Sequence, residues 1–481
     1  MNPPGAPATG PLAPAELPLR TRVAYGSSAF AENLAINSIN QLANAVFNIT
    51  LGVPLLLVGL ALSLPRLIDV FLDPWIGNWS DRLRSRWGRR RPFILVGALL
   101  CATVATGLWY FPEGRSTNFY FWWLLGGCVL MSVAYSILIV PYGALGLELS
   151  ASYHERTTLM GTKSILHKAS GVVNQWLLKW VRDAGGGNLV AGGRLCAPLV
   201  GAAIALLGCI TVAWVKERPI PSLAARAPRV SLWQSWKITM GRADFRHLVF
   251  AQVFIYMSFL VIDTTGFYLN VFYVNAGDMG VGASMKGWYG MAFQLCGMAA
   301  VPVIVRVSRR IGKKNAFLLC TLTIVLGGVA KWFCYVPGAG WWLVLPSALM
   351  GPGLVAVMVL TPSMTADICD LDAAECGARR EGMYNAVLSW SLKFALTGSI
   401  LLANVVLHLV GWRTDLKAAQ DPETFFAMRV GFSGGTVLLA LTAAWFVWRY
   451  SVTPGLIAAA QARSVELTPR RGEGILPDRA S

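Results

Sequence analysis

Long apolar stretches, each near 20 residues or more, recur along the chain with short polar breaks between them. At a rise of 1.5 Å per residue, about 20 apolar residues cross a hydrocarbon core of about 30 Å. The pattern predicts twelve spans, at 24–49, 52–75, 93–112, 119–147, 161–181, 194–215, 246–274, 283–306, 315–336, 341–366, 381–409 and 424–449. Several are interrupted by Gly or Pro, which membrane helices tolerate because neighbouring groups re-satisfy the freed backbone. The expected fold class is an all-α membrane protein with twelve transmembrane helices in two six-helix bundles. The long connection at 216–245, where Pro, Ser and charge replace apolar residues, is the predicted boundary. A short tail at 1–20, bundles at 21–215 and 246–450, and a second tail at 451–481 complete the expected organisation. The first 20 residues are rich in Pro and Ala and lack a basic start followed by an apolar core, so they read as a tail and not as a signal peptide.

Charge changes the picture from a count to an orientation. The 481 residues are 55% hydrophobic and only 14% charged, yet 41 basic and 24 acidic side chains leave a net +17. That composition excludes a disordered chain, a disulfide scaffold and most soluble enzymes. The nine cysteines are an odd number and mostly sit in apolar stretches, which reads as packing. The basic residues mass in alternate connections: Arg82, Arg84, Arg86, Arg89, Arg90 and Arg91 in one, the 216–246 segment in another, Arg306, Arg309, Arg310, Lys313 and Lys314 in a third. By the positive-inside rule those connections are cytoplasmic, and both termini lie inside. The positive charge therefore reports topology and contact with the bilayer, and no nucleic-acid partner is expected. Two of the basic loops also correspond: GNWSDRLRSRWGRRRPF follows the second span and VRVSRRIGKKNAF the eighth, each with a basic pair, a Gly and a basic cluster. Parallel six-span repeats of this kind build a large class of secondary transporters.

Ionisable and amide groups inside the spans are the candidate chemistry, because such groups are costly in lipid and face a cavity or a partner. The second span places Arg66, Asp69 and Asp73 three and four residues apart, on one helix face. Two carboxylates one turn apart hold Na⁺ through hard oxygen ligands or share a proton, so Asp69 and Asp73 are the candidate cation site. The first span carries an amide stripe, Asn33, Asn37, Asn40, Gln41, Asn44 and Asn48, with Glu32 beside it. Amides both donate and accept, which suits hydroxyl-rich solutes. The fifth span adds Lys163, His167, Lys168, Asn174 and Gln175; the seventh adds Asp263 and the eleventh Lys393. Asn33, Asn37, Asn40, Gln41, Asn44, Lys168 and Lys393 form the candidate solute site. No phosphate-binding loop, HExxH helix or GxSxG elbow is present in the sequence, so no catalytic residue, resident metal or cofactor is expected beyond the coupling ion, Na⁺ or H⁺.

The run SLPRLIDVFLDPWIGNWSDRLRSRWGRRRPFILVG, the VPYGALGLEL segment with ERTTL after it, and ADICDLDAAECGARREGMYNAVLSWSLK closely resemble the glycoside-pentoside-hexuronide:cation symporters, the melibiose-carrier branch of the major facilitator superfamily. The resemblance extends from about Thr21 to Tyr450. It implies an alternating-access carrier of the inner cell membrane that couples Na⁺, Li⁺ or H⁺ to solute uptake, with Asp69 and Asp73 at the cation and Lys393 as the span-eleven lysine. The family's sugar-binding acids of spans one and four fall on Asn33 and Ile139, and the tryptophan after the span-four proline is Gly143. A galactoside is therefore not the expected solute; a different sugar or glycoside is, with a lysolipid-like amphiphile as the alternative and a membrane-embedded enzyme acting through the ADICDLDAAEC acids as a further one. The resemblance also implies a cytoplasmic gate of Asp81, Arg82, Arg86, Arg89 and Arg90, with salt bridges joining the halves through Asp367, Asp370, Arg379, Arg380 and Glu381. A monomer is expected.

Overall fold

The computed structural model describes residues 17–83, 85–149, 153–217, 232–376, 381–413, 416–453 and 455–456. Among them, twelve helices have 17 or more residues, and none of the regular structure is strand. They are α1 (Leu19–Ala43), α2 (Leu55–Arg82), α3 (Arg91–Gly107), α4 (Thr117–Leu149), α5 (Tyr153–Ala184), α6 (Leu189–Trp214), α8 (Ala243–Tyr268), α9 (Met279–Ile311), α10 (Lys313–Cys334), α11 (Val344–Cys376), α12 (Glu381–Leu409) and α13 (Pro422–Trp448), with a nine-residue helix, α7 (Leu232–Met240), ahead of α8. Eight are long and apolar enough to cross a membrane on composition alone. The other four are α1, α2, α3 and α5. Of these, α3 has 17 residues, an apolar stretch of α2 covers Leu55–Arg66, and α1 and α5 carry amides and charges of the candidate site.

The chain separates into two compact units, Met1–Ala227 with Lys286–Met291, and Pro228–Met285 with Ala292–Ser481. In the first unit α1 packs on α5 and α6, α2 on α4, and α3 on both α4 and α6. Lipid gives helices no hydrophobic reason to associate, so close backbone approach through small residues supplies the contact. A Cβ on Gly97 of α3 would stand 2.5 Å from the Leu138 backbone nitrogen of α4, and one on Gly201 of α6 would meet Ala102 O of α3 at 2.9 Å. At the α1–α4 crossing Tyr25 and Tyr142 stack at 4.5 Å, and each hydroxyl donates to the other's carbonyl, at 3.3 and 3.0 Å. The second unit packs α8 on α12 and α13, and α10 on α11 and α13, around a core that includes Phe245, Phe317, Met364 and Tyr384.

The repeat seen in the basic loops extends into geometry. Gly88 and Gly312 both take positive φ, 101° and 85°, three residues and one residue before the first residues of α3 and α10. A residue without Cβ adopts that conformation at little cost. The first long helix of each unit also ends in a π-helical turn, Asn44–Thr50 after α1 and Leu269–Val274 after α8. An asparagine closes each turn: Asn48 Nδ2 donates to Val53 O at 2.8 Å, and Asn270 Nδ2 to Gly282 O at 2.7 Å. Asn48, grouped by spacing with the amide stripe, is fully buried and serves this turn instead.

Candidate functional site: a carboxylate and hydroxyl ladder beside an amide-faced helix

Asp69 and Asp73 stand one turn apart on α2, and α4, packed alongside, presents two serines at the same spacing. Ser132 Oγ donates to Asp69 Oδ1 or, at 2.9 Å, to Pro65 O; Ser136 Oγ lies 2.8 Å from Asp73 Oδ1 and 3.4 Å from Asp69 Oδ1. The result is a ladder of two carboxylates and two hydroxyls across one helix pair. Asp69 is 7% exposed. Every donor atom is oxygen, the set a hard cation such as Na⁺ takes, and the paired acids serve a proton equally well. Arg66, a turn before Asp69, lies within electrostatic range of Asp69, Tyr135 and Cys128. Sequence spacing placed the acids; it did not indicate Ser132 and Ser136, whose only signal is their four-residue separation in an otherwise apolar span.

The amide stripe divides into two parts. Asn33, 8% exposed, places its Nδ2 3.1 Å from His167 Nε2 and accepts from Asn174 Nδ2 at 2.9 Å, so α1 and α5 are joined by a polar network, in which Asn174 Oδ1 is buried without a hydrogen bond. Asn37, Asn40, Gln41 and Asn44 are half-exposed. Among the described residues the side chains of Asn37, Asn40 and Gln41 make no hydrogen bond, and Asn44 Oδ1 is buried without one. Amides left so at membrane depth face water or a solute. Lys168 is half-buried on α5, and Lys393 is half-buried on α12 of the second unit. A residue that the stripe only flanked, Glu32, accepts from Tyr135 Oη at 3.1 Å. The Lys163 ammonium sits over the Tyr142 ring, 4.9 Å from its centroid, inside this cluster.

The loop of the expected gate is held at its backbone by an acid outside the predicted set. Arg82 and Arg86 are exposed, Arg89 is half-buried and Arg90 is buried. The acid that holds their loop is Glu217, at the end of α6: its carboxylate accepts the backbone N–H of Arg89 at 2.8 Å, Arg90 at 2.8 Å and Arg91 at 2.9 Å. Three amides at a helix start are an anion site, and the carboxylate fills it. The side chain of Asp81 lies outside the described residues. In the second unit Lys313 Nζ meets both oxygens of Asp367 at 2.7 Å, and Arg242 pairs with Asp372 at 3.4 Å and with Glu375. These pairs close within the second unit, where Arg242 and Lys313, at the starts of α8 and α10, meet acids of α11. Asp370 is half-buried beside them. Arg379 and Arg380, and the side chains of Glu381 and Asp263, lie outside the described residues. A cavity of about 990 Å³ in the second unit, with Tyr273, Gln420, Phe425 and Arg429 in its wall, holds none of the residues predicted from sequence.

Helices of this length and composition, with buried acids and amides confined to a few of them, define a multi-pass membrane carrier. Residues 24–454 match the MFS/sugar transport protein family, and the chain belongs to it. It is 25% identical to the isoprimeverose transporter of Lactiplantibacillus pentosus over 407 residues, covering 80% of this chain and 81% of that one. It is 24% identical to the glucuronide carrier protein homolog of Escherichia coli (strain K12), covering 90% and 93%. In fold it is similar to a D-xylose-proton symporter, with a TM-score of 0.61 at 12% identity over 90% of this chain and 97% of that one. Membership in a transport family sets aside the enzyme reading of the α11 acids, whose salt bridges account for them.

Proposed function

We propose that the protein is a secondary active symporter that moves a hydroxyl-rich solute, a sugar or glycoside, together with Na⁺ or H⁺. The observation that carries this reading is the ladder of Asp69, Asp73, Ser132 and Ser136, built next to a helix whose half-exposed amides lack partners. The cation neutralises the paired acids; the amides of Asn37, Asn40, Gln41 and Asn44 donate to and accept from solute hydroxyls. Coupling follows when cation and solute each favour the state in which the other is bound, since binding free energies are linked reciprocally. Names of the relatives support a glycoside: one is a transporter of isoprimeverose, another a homolog of a glucuronide carrier. A polar face of this kind suits a sugar better than the apolar tail of a lysolipid. The arginine-rich loops support an orientation with both termini in the cytoplasm and the protein in the inner membrane.

Uptake of isoprimeverose and of a glucuronide into vesicles containing the purified protein tests the reading. An imposed Na⁺ or proton gradient is expected to drive accumulation, and Asp69→Asn to abolish it. Equally concentrative uptake after the gradient is collapsed would show that the protein is not a symporter.

A further inference from the structure

The cavity of about 990 Å³ belongs to the second unit alone, whereas the ladder and the amide stripe belong to the first. Its wall includes Tyr273 of the π-helical turn Leu269–Val274, Ala418 of the short turn Lys417–Ala419, and Glu423, Phe425, Phe426 and Arg429 from the start of α13. Arg429 is half-buried. Its Nη2 donates to Trp332 O at 2.7 Å and its Nη1 to Tyr273 Oη at 3.4 Å, while Nε is buried without a partner. The guanidinium carbon lies 4.6 Å from the centroid of the Trp332 ring and 5.5 Å from that of Tyr273. A carbonyl, a phenol and two rings thus hold the cation in place, but among the described residues no carboxylate pairs with it. Glu423, exposed and six residues earlier on α13, likewise has no ion pair among them. Six residues span about 9 Å of helix, and helical side chains lean toward the N-terminus, so Arg429 leans toward the end of the cavity where Glu423 stands.

We propose that this cavity is a binding site for the headgroup of a zwitterionic phospholipid, with the phosphate on Arg429 and a primary ammonium against Glu423. A guanidinium with N–H groups to spare matches phosphate oxygens, and a carboxylate without a counter-ion accepts from an ammonium. A purely anionic headgroup would meet Glu423 as like charge, and a neutral one would leave both charges uncompensated. The source is the bilayer, because the cavity lies at headgroup level. At this end of the unit α8, α10 and α12 finish and α9, α11 and α13 begin, and Phe333, Trp341 and Trp342 are exposed there. Exposed aromatics of this kind mark the membrane–water interface. Phe426, in the wall and itself exposed, gives the acyl chains an apolar way out to the lipid. The basic connections of the unit, 216–246 and 306–314, lie at the opposite ends of α8 and α9, so in the orientation proposed above the lipid belongs to the outer leaflet. Bound there, it would bridge the π-helical turn after α8 to the first turns of α13. The inference does not depend on which solute or cation is carried.

The experiment titrates the purified full-length protein in detergent with phosphatidylethanolamine, phosphatidylcholine and phosphatidylglycerol of the same acyl chains, and reads lipid retention by native mass spectrometry in wild type, Glu423→Gln and Arg429→Gln. Wild type is expected to retain phosphatidylethanolamine in preference to phosphatidylglycerol, with phosphatidylcholine, whose methylated nitrogen has no N–H to donate, in between. Glu423→Gln is expected to reduce the advantage of phosphatidylethanolamine over phosphatidylglycerol by about fivefold or more. Arg429→Gln is expected to weaken retention of all three by about tenfold. Equal retention of the three lipids by wild type overturns the inference, as does an undiminished preference in Glu423→Gln or undiminished retention in Arg429→Gln. If Arg429→Gln does not fold, the exposed position 423 decides, since its substitution removes no packing contact from the core. Glycerophosphoethanolamine, the same headgroup without acyl chains, is the remaining arm: displacement of the lipid by an equal concentration of it would show a site for a soluble zwitterion and overturn the assignment to the bilayer.

Discussion

Replacing Glu217 tests how the basic loop after α2 is held. The side chain reaches back from the end of α6 to three consecutive amides that open α3, at 2.8, 2.8 and 2.9 Å. Glu217→Ala removes all three contacts. A hydrogen bond to a charged group contributes about 1.5–3 kcal/mol when buried. These contacts are half-buried, so water recovers much of that, and the lost interaction with the helix N-terminus adds about 0.3–1 kcal/mol. The net local destabilisation is about 2–4 kcal/mol. Glu217→Gln is milder, about 1–2 kcal/mol: its carbonyl can keep the bonds from Arg90 and Arg91, both made to Oε1, while the amide NH₂ opposes the Arg89 N–H that Oε2 accepted. Hydrogen exchange read by mass spectrometry over 89–93 is the assay, because it reports local opening without a reversible global unfolding. At about 1.4 kcal/mol per tenfold, Glu217→Ala is expected to lower protection by about 30-fold or more and Glu217→Gln by about tenfold. Protection in Glu217→Ala within twofold of wild type would refute the clamp and leave the loop ordered by something else.

Other expectations follow from the same geometry. Ser132→Ala with Ser136→Ala removes both hydroxyls of the ladder, and half-maximal cation concentration in vesicle uptake is expected to rise about tenfold or more, with solute affinity at saturating cation unchanged. Gly88→Ala and Gly312→Ala each force a side chain into positive φ, 101° and 85°, at a cost of about 1–3 kcal/mol. At position 88 the new Cβ also meets the Glu217 carboxylate at 2.5 Å, whereas at 312 nothing lies within 4 Å, so melting temperatures are expected to fall further for Gly88→Ala. A double-mutant cycle on Lys313 and Asp367 is expected to give about 1 kcal/mol of coupling, because the two side chains are 37% and 14% exposed, and to weaken as salt is added. Coupling that is unaffected by ionic strength would point to packing and not to charge.

Much of the fold was legible in hydropathy, since a helix that crosses lipid must be apolar for about 20 residues. The spans with amides and charges, those of α1, α2 and α5, were legible too, because the polar residues in each fall among apolar ones over a span's length. The acids of α2 stood out because a carboxylate in a span is rare. Ser132 and Ser136 did not, because a hydroxyl in a span is unremarkable and their role exists only once α4 lies against α2. Glu217 is 128 residues from Arg89 and reads as linker until the ends of α6 and α3 are brought together. Asn48 shares the four-residue spacing of the stripe, yet the π-helical turn after α1 shifts the register of the helix just before it. No periodicity argument anticipates that turn. Its counterpart after α8 identifies it as a property of the repeat.

The repeat also shows where the two units part company. Gly88 and Gly312, the basic residues after them and the π-helical turns correspond, so the scaffold is shared. At the start of the third helix the first unit uses a carboxylate on backbone amides, Glu217 on Arg89–Arg91, while the second uses a side-chain pair, Lys313 with Asp367. The first arrangement is made by the backbone N–H groups of the loop; the second commits the Lys313 side chain to its acid. Likewise the ladder of acids and hydroxyls, the unpartnered amides and Glu32 with its bare oxygen all belong to the first unit. Ionisable groups are costly in lipid, and gathering the two acids of the ladder where α2 meets the hydroxyls of α4 confines that cost to one helix pair.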